Sequence, residues 1–149
     1  EVLAEIGQVE AWKVKVKPGK PQVYGKIGEA FFFGLPGNPV SSVVVFLLFV
    51  RPALQKIMGM RVPTPCRFLA RLTAPIRKEK GRTEFQRGIL QYRDQTWQVA
   101  NTGAQGSGIL HSLLRANCFI ILEEGRDYFA AGEEVWVEPL TFSFQPSYS

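Results

Sequence analysis

Apolar and polar positions alternate and cluster along this chain in a way that divides it in two. Residues 2 to 6 read as the end of a helix closed by Gly7, after which "AWKVKVKP" alternates apolar and basic residues at period two, as a strand with one wet face does. Pro18, Gly19 and Pro21 stop that strand. "QVYGKIGEAFFFGL" then predicts a short strand, a turn around Gly28 and Glu29, and a buried strand of three phenylalanines. A helix follows from Asn38 to about Met58. Asn38 suits the N-cap, Pro39 the first helical position, Lys56 the last turn and Gly59 the stop, while Pro52 predicts a kink near Phe49.

Beyond "MRVPTP", which has the proline content of a linker, no helical periodicity is sustained. Short candidate strands stand at "CRFLARLT", "EFQRGILQY", "WQVAN", "CFIILEE" and "EVWVEPLTF". Turn clusters at Lys80-Gly81, Arg93 to Gln95, Gly103 to Gly108 and Ala131-Gly132 separate them. The fold class expected is mixed α/β plus β: residues 1–62 as the C-terminal part of an α/β domain, residues 63–149 as a small antiparallel β-barrel or sandwich.

Composition narrows the function classes. With 149 residues and 46% hydrophobic content the chain can bury one ordinary core or two small ones. The longest uninterrupted apolar run, Val43 to Val50, is shorter than the roughly 18 to 20 residues of a membrane span, so none is predicted. No basic, then apolar, leader opens the chain, and no secretory signal is read there. Cys66, Cys118 and the single histidine, His111, make neither a disulfide framework nor a four-ligand zinc site, which points to reduced thiols and a cytoplasmic setting.

Charge is uneven. Residues 61–93 carry nine Arg or Lys against Glu79 and Glu84, and residues 94–149 carry Arg115 and Arg126 against seven acids. Solvated strand faces account for such a run, and without interleaved aromatics it does not make a nucleic-acid stacking platform.

The chemistry-bearing stretch is "FFFGLPGNPVSS". A strand that ends in a Gly/Pro turn and feeds a helix N-terminus aims backbone amides and a positive dipole end at one point, where an anion fits. Gly34 and Gly37 allow close backbone approach, and Pro36 and Pro39 stiffen the loop. Lys13, Lys15 and Lys17 lie at period two, hence on one strand face, with Lys20 just past the turn. Turns of this composition also occur in α/β domains that bind nothing at them.

"WKVKVKPGKP", "GKIGEAFFFGLPGNPVSSVVVF", "GRTEFQRGIL" and "NTGAQGSGILHSLLRANCFIIL", in this order, closely resemble the C-terminal half of the molybdopterin molybdenumtransferase family, which includes the catalytic part of gephyrin. The resemblance covers nearly the whole chain. It implies a molybdopterin-binding α/β segment, then a separate β-domain with its boundary at residues 60–65. The implied reaction inserts molybdate into adenylylated molybdopterin, giving molybdenum cofactor and AMP, with Mg2+ present. Adenylylated molybdopterin and molybdate are anions, which suits a cationic, amide-rich site. On matching positions the resemblance makes Lys13 and Lys17 the basic residues facing the substrate, Pro36 and Pro39 the shapers of the loop beneath it, and Arg87 and Ser107 activity-associated residues; Lys20, Gly34, Gly37, Asn38 and Ser41 of the same turn complete the candidate substrate-binding set. It also implies a homodimer, with other proteins of molybdenum cofactor synthesis as partners and neither nucleic acid nor membrane.

The sequence departs from the family in two places. The acidic, magnesium-associated glycine-valine-serine-valine-glycine-aspartate motif, expected just before Glu1, is not in this chain, so the chain alone is expected to be inactive. Gly108 follows Ser107 where related sequences often carry a bulkier polar residue. A rival reading is a protein-binding scaffold or dimerisation module of a gephyrin-like protein.

Overall fold

The computed structural model describes residues 8–12, 15–19, 22–62, 64–103 and 110–140. The chain divides into two compact units, Glu1–Pro63 and Thr64–Ser149.

In the first unit, strands β1 (Gln8–Trp12), β3 (Gln22–Ile27) and β4 (Ala30–Gly34) form an antiparallel sheet in the order β1-β3-β4. The β3–β4 hairpin turns at Gly28, whose φ of 60° lies in the left-handed region that a residue without Cβ enters at least cost. Two expectations are corrected here. Lys15 sits at a bend just before the separate two-residue strand β2 (Val16–Lys17), so Lys15 and Lys17 do not share one strand; Lys13 lies outside the described residues. The phenylalanine strand is also not buried: Phe31 is 56% exposed, and Phe32 and Phe33 are half-buried. A strand of an antiparallel hairpin can leave one face open, so a continuous apolar run does not by itself mean burial. The expected helix end at residues 2–6 lies outside the described residues.

Helix α1 (Pro39–Ile57) starts and stops where its caps predict. Asn38 is extended at φ −78°, ψ 121° and caps the first turn, and Gly59 leaves the helix at φ 72°. Val40, Val44 and Val45 bury one stripe. The Pro52 kink takes the form of a π-helical turn over Phe46–Val50, in which Arg51 N–H bonds to Phe46 O, five residues back. Proline has no N–H to give the carbonyl four residues back, and its ring crowds that carbonyl; a wider turn accommodates both. By length and composition alone α1 is long and apolar enough to cross a membrane, at 19 residues and mean hydropathy 1.6. The run Val43–Val50 undercounted it because Ser41, Ser42, Arg51 and Pro52 are helical too.

The second unit is a five-stranded closed barrel. Its strands are β5 (Phe68–Leu72), β7 (Thr83–Arg93), β8 (Thr96–Asn101), β9 (Cys118–Leu122) and β11 (Glu134–Pro139), and they pair around the ring as β7-β8-β5-β11-β9 and back to β7. The antiparallel expectation fails at one pair: β5 and β8 run parallel, with Arg71 opposite Gln98 and Leu72 opposite Val99. Five strands cannot alternate direction around a closed ring, so one neighbouring pair must be parallel. β7 and β8 join through Asp94 and Gln95, at φ 49° and 59°, a two-residue hairpin turn whose twist matches that of its strands.

Two short elements escaped the sequence pattern. β6 (Ile76–Arg77) pairs with β10 (Tyr128–Phe129), and Ile76 and Phe129 join the barrel core with Leu72, Leu90, Val99 and Val137. Helix α2 (Leu110–Arg115) lies between β8 and β9. Gly88 is the crossing point of the barrel, opposite Asn101 of β8 and Cys118 of β9. A Cβ there would stand 2.8 Å from both Cys118 Sγ and Ile120 Cγ1, so the close approach of β7 and β9 requires glycine.

Candidate functional site

The turn between β4 and α1 is tied together from within. Asn38 Oδ1 accepts hydrogen bonds from the backbone N–H groups of Val40 (3.0 Å) and Ser41 (3.3 Å). Ser42 N–H donates to Asn38 O at 2.8 Å, and Ser42 Oγ donates to Pro36 O. These bonds fix the loop without a ligand. They also change what it offers an anion, because the amides of Val40 and Ser41, expected to point at a ligand, are engaged by Asn38. Val40 is only 2% exposed.

The two glycines of the turn have different reasons. A Cβ on Gly34 would come within 3.1 Å of Val23 Cβ, so this glycine serves strand packing rather than ligand approach. Gly37 is exposed, and a Cβ there would meet nothing within 4 Å. Gly34, Pro36, Gly37, Asn38, Pro39 and Ser41 therefore come together in one turn, with Gly37 as its open backbone. Lys17, on β2, is exposed, as is Lys15. Lys13 and Lys20 lie outside the described residues.

In the second unit Arg87 departs from expectation. It falls in the basic run read as solvated strand faces, yet it is 2% exposed on β7. Its Nε donates to Ser112 Oγ of α2 at 2.8 Å, and Ser112 is itself 4% exposed. Burial pulls the Arg87 pKa below its ordinary value, because the charged form loses water. The Arg87 carbonyl accepts from Thr102 N–H at 3.0 Å and from Thr102 Oγ1 at 3.4 Å. Asn117 anchors the other side of α2: its N–H donates to Gly88 O, its Oδ1 accepts from Leu90 N–H at 2.7 Å, and its Nδ2 donates to Leu90 O at 2.9 Å. Sequence reasoning missed Thr102, Ser112 and Asn117. Only Asn117, a side-chain donor and acceptor just before an apolar run, carried a local signal. Ser107 lies outside the described residues.

Magnesium finds no fit here. Among the described residues no group of three or more His, Cys, Asp or Glu side chains could hold a metal ion, and no step is assigned to one.

Two family descriptions match the chain, a probable molybdopterin binding domain over residues 1–56 and the MoeA C-terminal region (domain IV) over residues 69–140. Molybdopterin molybdenumtransferase of Haemophilus influenzae is 43% identical over 140 residues, covering 93% of this chain and 35% of that protein. Gephyrin of Dictyostelium discoideum is 31% identical over 159 residues, covering 90% of this chain and 22% of that protein. The crystal structure of the molybdopterin biosynthesis moeA protein of Pyrococcus horikoshii superposes with a TM-score of 0.75 at 31% identity, over 93% of this chain and 33% of the other. The chain thus spans about a third of the length of the molybdenumtransferase it matches. It belongs to the MoeA and gephyrin family of molybdenum cofactor biosynthesis and covers the C-terminal part of the MoeA architecture: a stretch matching the probable molybdopterin binding domain, followed by the domain IV barrel.

Proposed function

We propose that this chain is the part of a molybdopterin molybdenumtransferase that holds molybdopterin at the Leu35–Ser42 turn while molybdate is inserted into its adenylylated form, with release of AMP. The observation that supports it is the preformed turn itself. Asn38 and Ser42 hold it closed on its own backbone and leave Gly37 open, so little ordering entropy is lost on binding. In this reading Lys13, Lys17 and Lys20 supply charge-assisted bonds to the phosphate, while Pro36, Pro39 and Ser41 shape the seat. Arg87 and Ser107 stand at family-matched positions of the barrel unit. The reading includes Mg2+ bound by residues outside this chain, a homodimer and a cytoplasmic setting; the chain alone does not turn over.

Molybdopterin titrated calorimetrically into the 149-residue chain tests the binding step. Lys17→Ala is expected to weaken affinity about tenfold or more, since one charge-assisted bond contributes on the order of 1.5 to 3 kcal/mol, while Lys15→Ala leaves it within about twofold. Failure of the unaltered chain to bind, or equal effects of the two substitutions, would sink the proposal.

A scaffold reading draws on the likeness to Dictyostelium gephyrin and on one surface. Trp136 and Leu69, paired across β11 and β5, face outward at 52% and 44% exposure.

A further inference from the structure

The barrel ring closes unevenly at one seam. The parallel pairing of β5 with β8 is two residues long, Arg71 opposite Gln98 and Leu72 opposite Val99, although β5 begins at Phe68 and β8 at Thr96. Among the described residues, Phe68–Ala70 and Thr96–Trp97 share no ladder with each other. Three rings collect at that end. Trp97 lies 5.3 Å from Phe68 and 5.2 Å from Tyr92 between ring centroids, at interplanar angles of 50° and 64°. Phe68 packs against the barrel core, whereas Tyr92 is 60% and Trp97 36% exposed. Tilted and edge-to-face pairs attract one another, yet these leave a contiguous aromatic surface in water.

The chain leaves the barrel beside the same end. Val137 of β11 stands opposite Phe68, and three residues on, Leu140 N–H donates to Asn117 O at 2.8 Å. The Asn117 side chain is bonded to both backbone groups of Leu90, two residues before Tyr92. Residues 141–149, outside the described residues, read "TFSFQPSYS". Phe142, Phe144, Pro146 and Tyr148 recur at period two, with only Ser or Gln between them and no charge in the segment. That pattern gathers its apolar residues on one face only when the backbone is extended.

We infer that the aromatic seam between β5 and β8 is the docking site of this chain's own residues 141–149, which lie along it as an extended strap with Phe142 and Phe144 against Trp97 and Tyr92. Reach allows it, since nine extended residues span about 30 Å and the path from β11 across β5 to β8 is two strand spacings, about 10 Å. Chemistry selects it. The seam offers rings, every second residue of the strap is a ring or a proline, and the strap has no charge to desolvate. Backbone placement agrees, because the seam is where two neighbouring strands of the ring are not paired with each other, and Pro146, which has no N–H, ends any added ladder after Gln145. Tethering at Leu140 keeps the strap at high local concentration, so a contact too weak for a free peptide suffices. The inference concerns the second unit alone and does not rest on the molybdopterin reading.

Trp97 reports the strap. In a Trp12→Phe/Trp136→Phe background of the 149-residue chain it is the sole tryptophan. Phe142→Ser/Phe144→Ser should raise acrylamide quenching of Trp97 about threefold or more, while Ser143→Ala/Gln145→Ala, on the opposite face of the strap, leaves it unchanged. The reciprocal change is Tyr92→Ser at an exposed position, which should speed chymotryptic cleavage after Phe142 and Phe144 about tenfold by undocking the strap. Far-UV circular dichroism confirms that each variant keeps the barrel, and should the double phenylalanine variant fail to fold, the Tyr92→Ser cleavage rate decides by itself. Both readouts should hold over roughly a hundredfold range of chain concentration; a dependence on concentration overturns the strap in favour of exchange between two copies. Equal quenching in the parent and Phe142→Ser/Phe144→Ser chains, or equal cleavage of the parent and Tyr92→Ser chains, overturns it outright.

Discussion

Replacing Gly88 by Ala puts a methyl group where β7, β8 and β9 meet. The new Cβ would stand 2.8 Å from Cys118 Sγ, 2.8 Å from Ile120 Cγ1 and 3.1 Å from Ile120 Cδ1. Carbon contacts favour about 3.5 to 4.0 Å, so two neighbours must each give by roughly 0.7 Å. Neither has room, because Cys118 and Ile120 are both 0% exposed. Overpacking of this kind costs about 1 to 3 kcal/mol, while the reduced freedom of the unfolded chain offsets about 0.4 to 1 kcal/mol. A net loss of about 1 to 2 kcal/mol lowers the melting temperature by roughly 5 to 15 °C for a unit of this size. Thermal melts in a Trp12→Phe background isolate the barrel, since Trp97 and Trp136 are then the only tryptophans. Cys118→Ala removes one of the two clashing atoms, so the Gly88→Ala/Cys118→Ala pair should be less destabilised than the sum by at least about 0.5 kcal/mol. Gly125→Ala, whose Cβ meets nothing within 4 Å, is the control and should melt within about 2 °C of the parent. A Gly88→Ala chain as stable as the parent, or strict additivity with Cys118→Ala, refutes the packing argument.

Three further outcomes are expected of the same protein. Burial pushes the Cys118 thiol up to about 12 while Cys66 is exposed, so a thiol reagent at pH 8 should label one cysteine in the native chain and two in denaturant; two native labels would contradict the burial. The Arg126 guanidinium, first by its hydrogen bonds and then by its charge, and the Ala130 N–H hold the Glu133 carboxyl below its ordinary 4.5, so its contribution to stability is present above that value and lost as pH falls through the lower folded value; Glu133→Gln should lower the melting temperature modestly near pH 7, converge with the parent in acid and so flatten the acid limb of a pH–melting curve, and an unchanged acid limb would exclude the linkage. Gly37→Ala should leave the melting temperature unchanged, since nothing lies within 4 Å, yet weaken molybdopterin binding where the open backbone is the seat; unchanged binding would remove Gly37 from the proposed site.

Local chemistry was legible without any tertiary information. Asn38, Pro39 and Gly59 bounded α1 because capping and left-handed termini depend on neighbours two to four residues away. Short apolar stretches between turn clusters located the five barrel strands for the same reason, and the family words carried the identity. Short elements were not legible: Ile76–Arg77 and Tyr128–Phe129 are two residues each, too short for a period, and exist because they cap a core built by other strands.

What only the tertiary structure decided are the relations between distant residues. The parallel β5–β8 pair follows from closing a ring of five strands, which no local pattern encodes. Phe31 reads as core in its run of three and is open because its hairpin leaves that face uncovered. Arg87 reads as a surface strand cation and is buried, its Nε–H bonded to Ser112 on a helix the pattern did not announce. Capping and periodicity act over one or two turns of chain, whereas burial and ring closure are set by segments tens of residues apart.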